Sequence, residues 1–150
     1  MIKALFTGTF DPFTIGHDAI IRRALACGLA NEVVIGIGIN NNKKTLFGLD
    51  ERLEAIRRIY TGEPRVKVTS YDGLTVDFAA EIKADFILRG IRNLPDYEYE
   101  KNNAEINRLM SGIETVFLFT EPSLEHISSS LVRELLKYKK DISHLIPTTK

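Results

Sequence analysis

Five short apolar runs, separated by stretches of helical periodicity, constrain this chain more than any other feature. They are "IKALFT" (2–7), "VVIGIGI" (33–39), "VKVTS" (66–70), "FILRG" (86–90) and "TVFLF" (115–119). Each is rich in β-branched or aromatic residues, and several are apolar at consecutive rather than alternate positions. A strand that is apolar on both faces needs cover on both, which helices flanking a parallel sheet provide. Between the runs, "HDAIIRRALACGL" places Ile20, Ile21, Ala24 and Leu25 on one helical face, and "DERLEAIRRIYTG" opens with acids and stops at Gly62. Three more helices are read over 74–84, over "PDYEYEKNNAEINRLM" entered through Pro95, and over "SSLVRELLKYK". The alternation predicts an α/β fold: a doubly wound, five-stranded parallel sheet with helices on both faces and right-handed crossovers. Its ligand is then expected at the carboxyl ends of the strands, near a topological switch point.

The 150 residues suit one domain, 1–150, with no repeat or Pro/Gly/Ser linker to mark a boundary. Lys plus Arg balance Asp plus Glu at 20 each, so no overall field draws in nucleic acid or an anionic membrane, and an anion site must be local. Cys27 is the only cysteine, which excludes an internal disulfide and a multi-thiolate zinc site; it is expected as a small buried side chain. The run at 33–39 is too short to span a bilayer, and Asp11 interrupts the N-terminus before a signal-peptide core can form. A cytoplasmic setting is the expectation.

The chemistry concentrates after the strands. "TGTFDPFTIGH" (7–17) joins the first strand to the first helix, with His17 in the helix's first turn. Unpaired N–H groups and the positive helix end there suit an anion. Gly8 leaves room for a phosphate to approach the backbone, Thr9 offers a hydroxyl, and Asp11-Pro12 sets a turn. His17 can aim a ring N–H at a phosphate oxygen or satisfy a backbone carbonyl. Lys43 and Lys44 follow the second strand as mobile charges, anion ligands or plain surface. Arg89 ends an apolar strand and Arg92 lies just beyond it; their partner is a phosphate, or Asp96, Glu98 or Glu100 in salt bridges. Ser128, Ser129 and Ser130 stand at the entrance of the last helix, where one serves as N-cap and three suggest a second phosphate cradle. Glu100 answers to the helix dipole or to a ribose hydroxyl or amino group. The set has no activated nucleophile and no dense metal-ligand cluster, so it fits a site that stabilises phosphate charge.

In this order, "TGTFDPFTIGH", "KK" after the second strand, "RGIRN", "DYEYE" and "ISSSLVREL" resemble the phosphopantetheine adenylyltransferases of the nucleotidyltransferase superfamily, over nearly the whole chain. The resemblance implies a Rossmann-like fold and transfer of the adenylyl group of ATP to 4'-phosphopantetheine, giving dephospho-coenzyme A and pyrophosphate. It implies that Thr9, Phe10 and His17 contact ATP, with His17 stabilising the transition state, and that Lys43 and Arg92 act beside it. Gly90, Ile91, Arg92, Glu100 and the segment Leu124, Glu125, His126, Ile127, Ser128, Ser129 and Ser130 match nucleotide-binding positions. Thr9, Lys43, Thr75 and Arg89 match phosphopantetheine-binding ones. Magnesium (Mg2+), held mainly by the ATP phosphates, and a homohexamer are implied as well. Coenzyme A, which carries both the pantetheine arm and an adenine nucleotide, is expected to bind in feedback.

The chain departs from the family pattern in places. Thr14 takes the first histidine position of the superfamily signature, as is usual in this subfamily. Leu124 stands where many members carry tryptophan, Thr7 where many carry proline, and "HLIPTTK" ends without the longer final helix of many relatives. The competing readings are a related nucleotidyltransferase with another phosphate acceptor, a non-catalytic ATP-sensing module, and a flavodoxin-like signalling domain. The last lacks the expected acidic pocket.

Overall fold

Residues on alternate positions of the first strand face opposite ways into apolar surroundings, and the rest of the architecture follows from that. In the computed structural model, which describes residues 1–148, β1 (Lys3–Gly8) turns Ala4 and Phe6 into one apolar cluster and Leu5 into another. Thr149 and Lys150, the end of "HLIPTTK", lie outside the described residues. β2 (Glu32–Gly38) repeats the pattern, with Val33, Ile35 and Ile37 on the first side and Val34 on the second. The first cluster is closed by α1 (Ile15–Ala26) and α2 (Leu49–Ile59), through Ile20, Ile21, Ala24, Leu53, Ile56 and Ile59. The second is closed by Phe78 and Ala79 of α3 (Thr75–Glu81). Both faces are covered, which is why the strands read as continuous apolar runs.

β3 (Val66–Tyr71), β4 (Phe86–Ile91) and β5 (Glu114–Phe119) complete a five-stranded sheet in the order β3-β2-β1-β4-β5, every pairing parallel. The chain winds outward from β1 to β3, returns to the other side of β1 as β4, and so creates a switch point between β1 and β4. Register there pairs Ala4 with Phe86 and Phe6 with Leu88, bringing the two strand ends side by side. α4 (Leu94–Ser111) starts at an Asn93 cap with Pro95 in its first turn and ends at Gly112, whose φ of 79° provides the left-handed residue that stops a helix. α5 (Ser129–Lys137) packs through Val132 into a third cluster with Ile127 and Leu145.

All five strands lie within one residue of the expected runs, but four helices stop earlier than their periodicity suggests, α5 at Lys137 with Tyr138 as its cap. α1 ends at Ala26 because Cys27 caps it and Gly28 turns left-handed at φ 77°. α2 gives way at Tyr60, before Gly62, and α3 at Ile82, where Lys83 takes φ 58° and the Ala84 N–H reaches back to the Ala79 carbonyl. Cys27 is exposed, against the expectation of burial: it sits at the helix terminus, past the last turn that faces the sheet.

Candidate active site

A cavity of about 360 Å³ opens at the β1/β4 switch point, where a doubly wound sheet offers its ligand crevice. The ends of β1 and β4 form its floor through Thr7, Gly8, Arg89 and Gly90, while α1 contributes His17 and α5 brings Ser128, Ser129 and Ser130 to its rim. Gly90 lets α1 come close, since a Cβ there would meet Ile20 Cγ1 at 3.0 Å. Gly8 has a different reason from the one expected. A Cβ at Gly8 would lie 2.9 Å from the Phe10 ring, so the glycine makes room for an aromatic side chain of the protein itself.

That ring belongs to the setting of His17. Phe10, Phe13 and Phe6 surround the imidazole at centroid distances of 5.1, 5.2 and 6.3 Å. Thr14 caps α1, and its backbone N–H donates to His17 Nδ1 at 2.9 Å. A backbone N–H can only donate, so Nδ1 accepts and the ring proton sits on Nε2. Burial among the aromatic rings, followed by the charges of Arg89 and Arg92, lowers the His17 pKa from 6.5 to about 3. The result is a neutral imidazole with one fixed N–H on the cavity. Thr14 thus sets the tautomer of His17.

The low pKa has a consequence for stability. Below pH 6.5 the unfolded chain takes up a proton at His17 that the folded chain refuses until about pH 3. Stability from this group is complete above pH 6.5 and falls with pH through that window, by up to about 1.4 kcal/mol per pH unit. Denaturant unfolding of the wild type at pH 5 and 7.5 is expected to show a loss about 2 kcal/mol larger than in His17→Gln. Equal losses in the two proteins would place the imidazole in a solvated setting instead.

Both arginines are ion-paired. Arg89 donates to Glu100 through Nε and Nη2 at 2.9 and 2.6 Å and to the Thr7 carbonyl, and Arg92 pairs with Asp96 at 3.1 Å. Of the carboxylates raised as partners from the sequence, Glu100 and Asp96 fill the role. Arg89, Arg92, Asp96 and Glu100 still line the cavity, so each guanidinium is held in place by an acid while facing the space where an anion would sit. Lys43 also reaches it and donates to Thr9 Oγ1 at 3.2 Å.

Not every expected residue gathers here. Ile91 is 5% exposed and outside the lining; Leu124 joins the Ile127 cluster, and Glu125 and His126 are outside the lining too. Thr75 opens onto a second cavity of about 320 Å³, with its hydroxyl 2.8 Å from that of Tyr71. This second space shares Thr7, Arg89 and Glu100 with the first. The three serines divide their work. Ser128 accepts from the Leu131 N–H as the cap, Ser129 Oγ donates to the Pro12 carbonyl at 2.7 Å, and Ser130 Oγ accepts from Arg133 at 3.1 Å.

Arg133 and Asp11 are among the lining residues that the sequence reading does not place in the site. Arg133 donates to the Asp11 carbonyl at 2.8 Å; one turn into α5, it stands three residues beyond Ser130, a spacing that puts it on the same side of the helix. Asp11, read only as part of a turn, is 3% exposed and accepts the Leu46 and Phe47 N–H groups at 2.8 and 2.9 Å.

A switch-point cleft lined by glycine, hydroxyl, neutral imidazole and guanidinium donors defines a nucleotidyltransferase-type site. Residues 5–135 match the cytidylyltransferase-like family model. Phosphopantetheine adenylyltransferases from Bacteroides fragilis and Flavobacterium johnsoniae are 58% and 49% identical to the chain over 147 residues, covering 98% of it and 97% and 95% of the relatives. The chain belongs to the phosphopantetheine adenylyltransferase family. Among solved structures, a lipopolysaccharide core biosynthesis protein from Thermoplasma volcanium shares the fold, with a TM-score of 0.57 at 22% identity over 81% of this chain and 98% of that one.

Proposed function

We propose that this chain transfers the adenylyl group of ATP to 4'-phosphopantetheine, releasing pyrophosphate and forming dephospho-coenzyme A, as the names of its relatives indicate. The observation that carries the reading is the pair of cavities that meet at Arg89 and Glu100. A reaction between two elongated substrates needs two spaces that converge where the phosphates react. The cavity with His17, Arg92 and the α5 entrance suits the nucleotide, and the one with Thr75 suits the pantetheine arm.

The acceptor is a phosphate oxygen largely ionised at neutral pH, so it needs no strong general base. It attacks the α-phosphorus of ATP, a bond forms from that oxygen to phosphorus, and the bond to the departing pyrophosphate breaks. Catalysis then consists of alignment and charge stabilisation. His17 Nε2–H is the fixed donor toward the transferring phosphoryl, and Lys43 and Arg92 offset charge around it. In our reading Thr9, Lys43, Thr75 and Arg89 hold the acceptor. Thr9, Phe10, Gly90, Arg92, Glu100, Ile127 and Ser128–Ser130, which line the first cavity, hold the nucleotide, with Phe10 acting largely through the imidazole it packs against, while Ile91, Leu124, Glu125 and His126 lie outside that lining and take no direct part in this reading.

Magnesium fits as an ion carried by the nucleotide. The lining carboxylates of Asp11, Asp96 and Glu100 are engaged by backbone N–H groups or arginines, and no group of three or more potential metal ligands occurs among the described residues. When bound, it would neutralise charge on the triphosphate. We place the reaction in the cytoplasm; no helix of the described residues is long and apolar enough to cross a membrane.

Coenzyme A carries both halves that the cavities accept and is proposed to compete with the substrates. A hexamer is proposed too, supported by Tyr99, Ile106, Leu109 and Met110 of α4, each more than half exposed. Light scattering is expected to give six times the chain mass, and a monomer would overturn it. The functional test is product formation from magnesium-ATP with 4'-phosphopantetheine, with nicotinamide mononucleotide and glycerol 3-phosphate as rival acceptors. Pyrophosphate with the first alone is the expected result; turnover with a rival instead would reassign the acceptor.

A further inference from the structure

We infer that Asp11 is a positioning residue that moors the Lys43 loop to the phosphate site, an inference that rests on the adenylyl-transfer reading for its kinetic part. The loop between β2 and α2 exposes every residue from Asn40 to Lys44. Its internal turn is local, with the Lys43 N–H donating to the Asn40 carbonyl. Nothing in that turn sets the distance from Lys43 to the cavity.

The distance is set on the far side of the loop. Asp11 Oδ2 accepts the Leu46 N–H at 2.8 Å and Oδ1 accepts the Phe47 N–H at 2.9 Å. Arg52 adds a parallel tie, donating to the Phe47 carbonyl at 3.1 Å and to the Thr9 carbonyl at 2.8 Å. On the near side the Ile39 N–H is fixed to the Tyr71 carbonyl at 2.9 Å. The free span is therefore 40–45, and Lys43 sits in its middle, its ammonium on Thr9 Oγ1, two residues from Asp11. The Asp11 backbone carbonyl holds Arg133 of α5 as well. Three segments that line the phosphate cavity thus converge on one buried residue.

The residue type follows from the geometry. The two consecutive backbone N–H groups each meet a separate oxygen, and only a carboxylate offers both. Asparagine has the same shape but turns an NH₂ toward one of those donors. Releasing the mooring leaves Phe47 tied through Arg52 alone and frees the Leu46 N–H, which loosens the span that carries Lys43 and lowers the effective concentration of its ammonium at the site.

Asp11→Asn is tested in two ways on the full chain. In amide hydrogen exchange, peptides covering 45–48 are expected to lose protection while those from β1, β2 and β4 keep theirs. In turnover, Asp11→Asn is expected to lower kcat/KM about 10- to 100-fold, as misplacement of a charge-stabilising group does. Adding Lys43→Ala to it should then cost less than about threefold more, because the ammonium is already displaced. Unchanged exchange at 45–48 overturns the mooring, and fully multiplicative losses in the double variant overturn its action through Lys43.

Should Asp11→Asn fail to fold, Leu46→Pro removes one of the two donors and leaves the carboxylate in place. It should reproduce the kinetic coupling, with Leu46→Ala as a control because that side chain is 55% exposed. Independent, multiplicative losses from Leu46→Pro and Lys43→Ala would overturn the inference. Wild-type protein that makes no pyrophosphate would overturn the functional reading, and exchange at 45–48 in the variants then decides the mooring by itself.

Discussion

His17→Ala is expected to lower turnover on the order of 100-fold or more while the sheet stays folded, the usual cost of losing one preorganised transition-state donor. The imidazole is neutral, its proton is confined to Nε2, and Phe6, Phe10 and Phe13 hold its plane. Such a donor need not reorganise as charge develops. If it acts only in the transition state, kcat and kcat/KM fall together and KM stays near its original value. Rate against pH should show no inflection near 6.5 from this residue, because the pKa of about 3 keeps it neutral across the working range. His17→Gln separates chemistry from folding. Glutamine three residues after a threonine cap can reach back to the cap N–H as the imidazole does, so the helix start survives without the imidazole. Near-normal turnover in either variant, measured as pyrophosphate release on protein with unchanged circular dichroism, would remove His17 from the mechanism.

The position of the site could be read from the sequence, and its electrostatics could not. Apolar runs such as "VVIGIGI" betray a strand covered on both faces because burial acts on each residue locally, and the β-α alternation then puts polar groups after each strand at one end of the sheet. His17, Lys43, Arg89, Arg92 and Ser128 were visible for that reason. The tautomer of His17 was not, since it depends on the geometry of the Thr14 cap as well as on its presence. Gly8 invited a ligand explanation because the Phe10 ring that occupies its space is placed by the fold, with Phe10 itself at φ 52°.

Long separations hid the rest. The Asp11 carboxylate meets N–H groups 35 and 36 residues away, and its carbonyl meets an arginine 122 residues away; no local pattern marks any of these pairs. Serines 128–130 suggested a single cradle, yet one caps, one ties α5 to Pro12 and one receives Arg133. Their shared role is to fix the helix entrance at the rim of the cavity. Cys27 shows the opposite error: the residue type favours burial, but where a helix ends is decided by one left-handed glycine.

Arg89 and Glu100 carry the second large effect, because they join the two cavities and must serve stability and binding together. The Glu100 side chain is 10% exposed and that of Arg89 28%, with two hydrogen bonds between them. Removing one member of such a pair strands the other; after allowing for the partial exposure of Arg89, Arg89→Leu is expected to lose about 2–4 kcal/mol at neutral pH. It also removes the guanidinium proposed to receive the acceptor phosphate, so kcat/KM for 4'-phosphopantetheine should fall about 100-fold. The two losses can be separated. In Arg89→Leu/Glu100→Leu no charge is left without a partner, and two apolar side chains fill the space, so much of the stability should return. Activity should not return with it, because the phosphate still lacks its cation. Denaturation midpoints and acceptor titrations on the three proteins check both halves. If the double variant recovers stability and turnover alike, the ion pair is a structural strut alone, and the acceptor phosphate must be held by Lys43 and Thr9 without it.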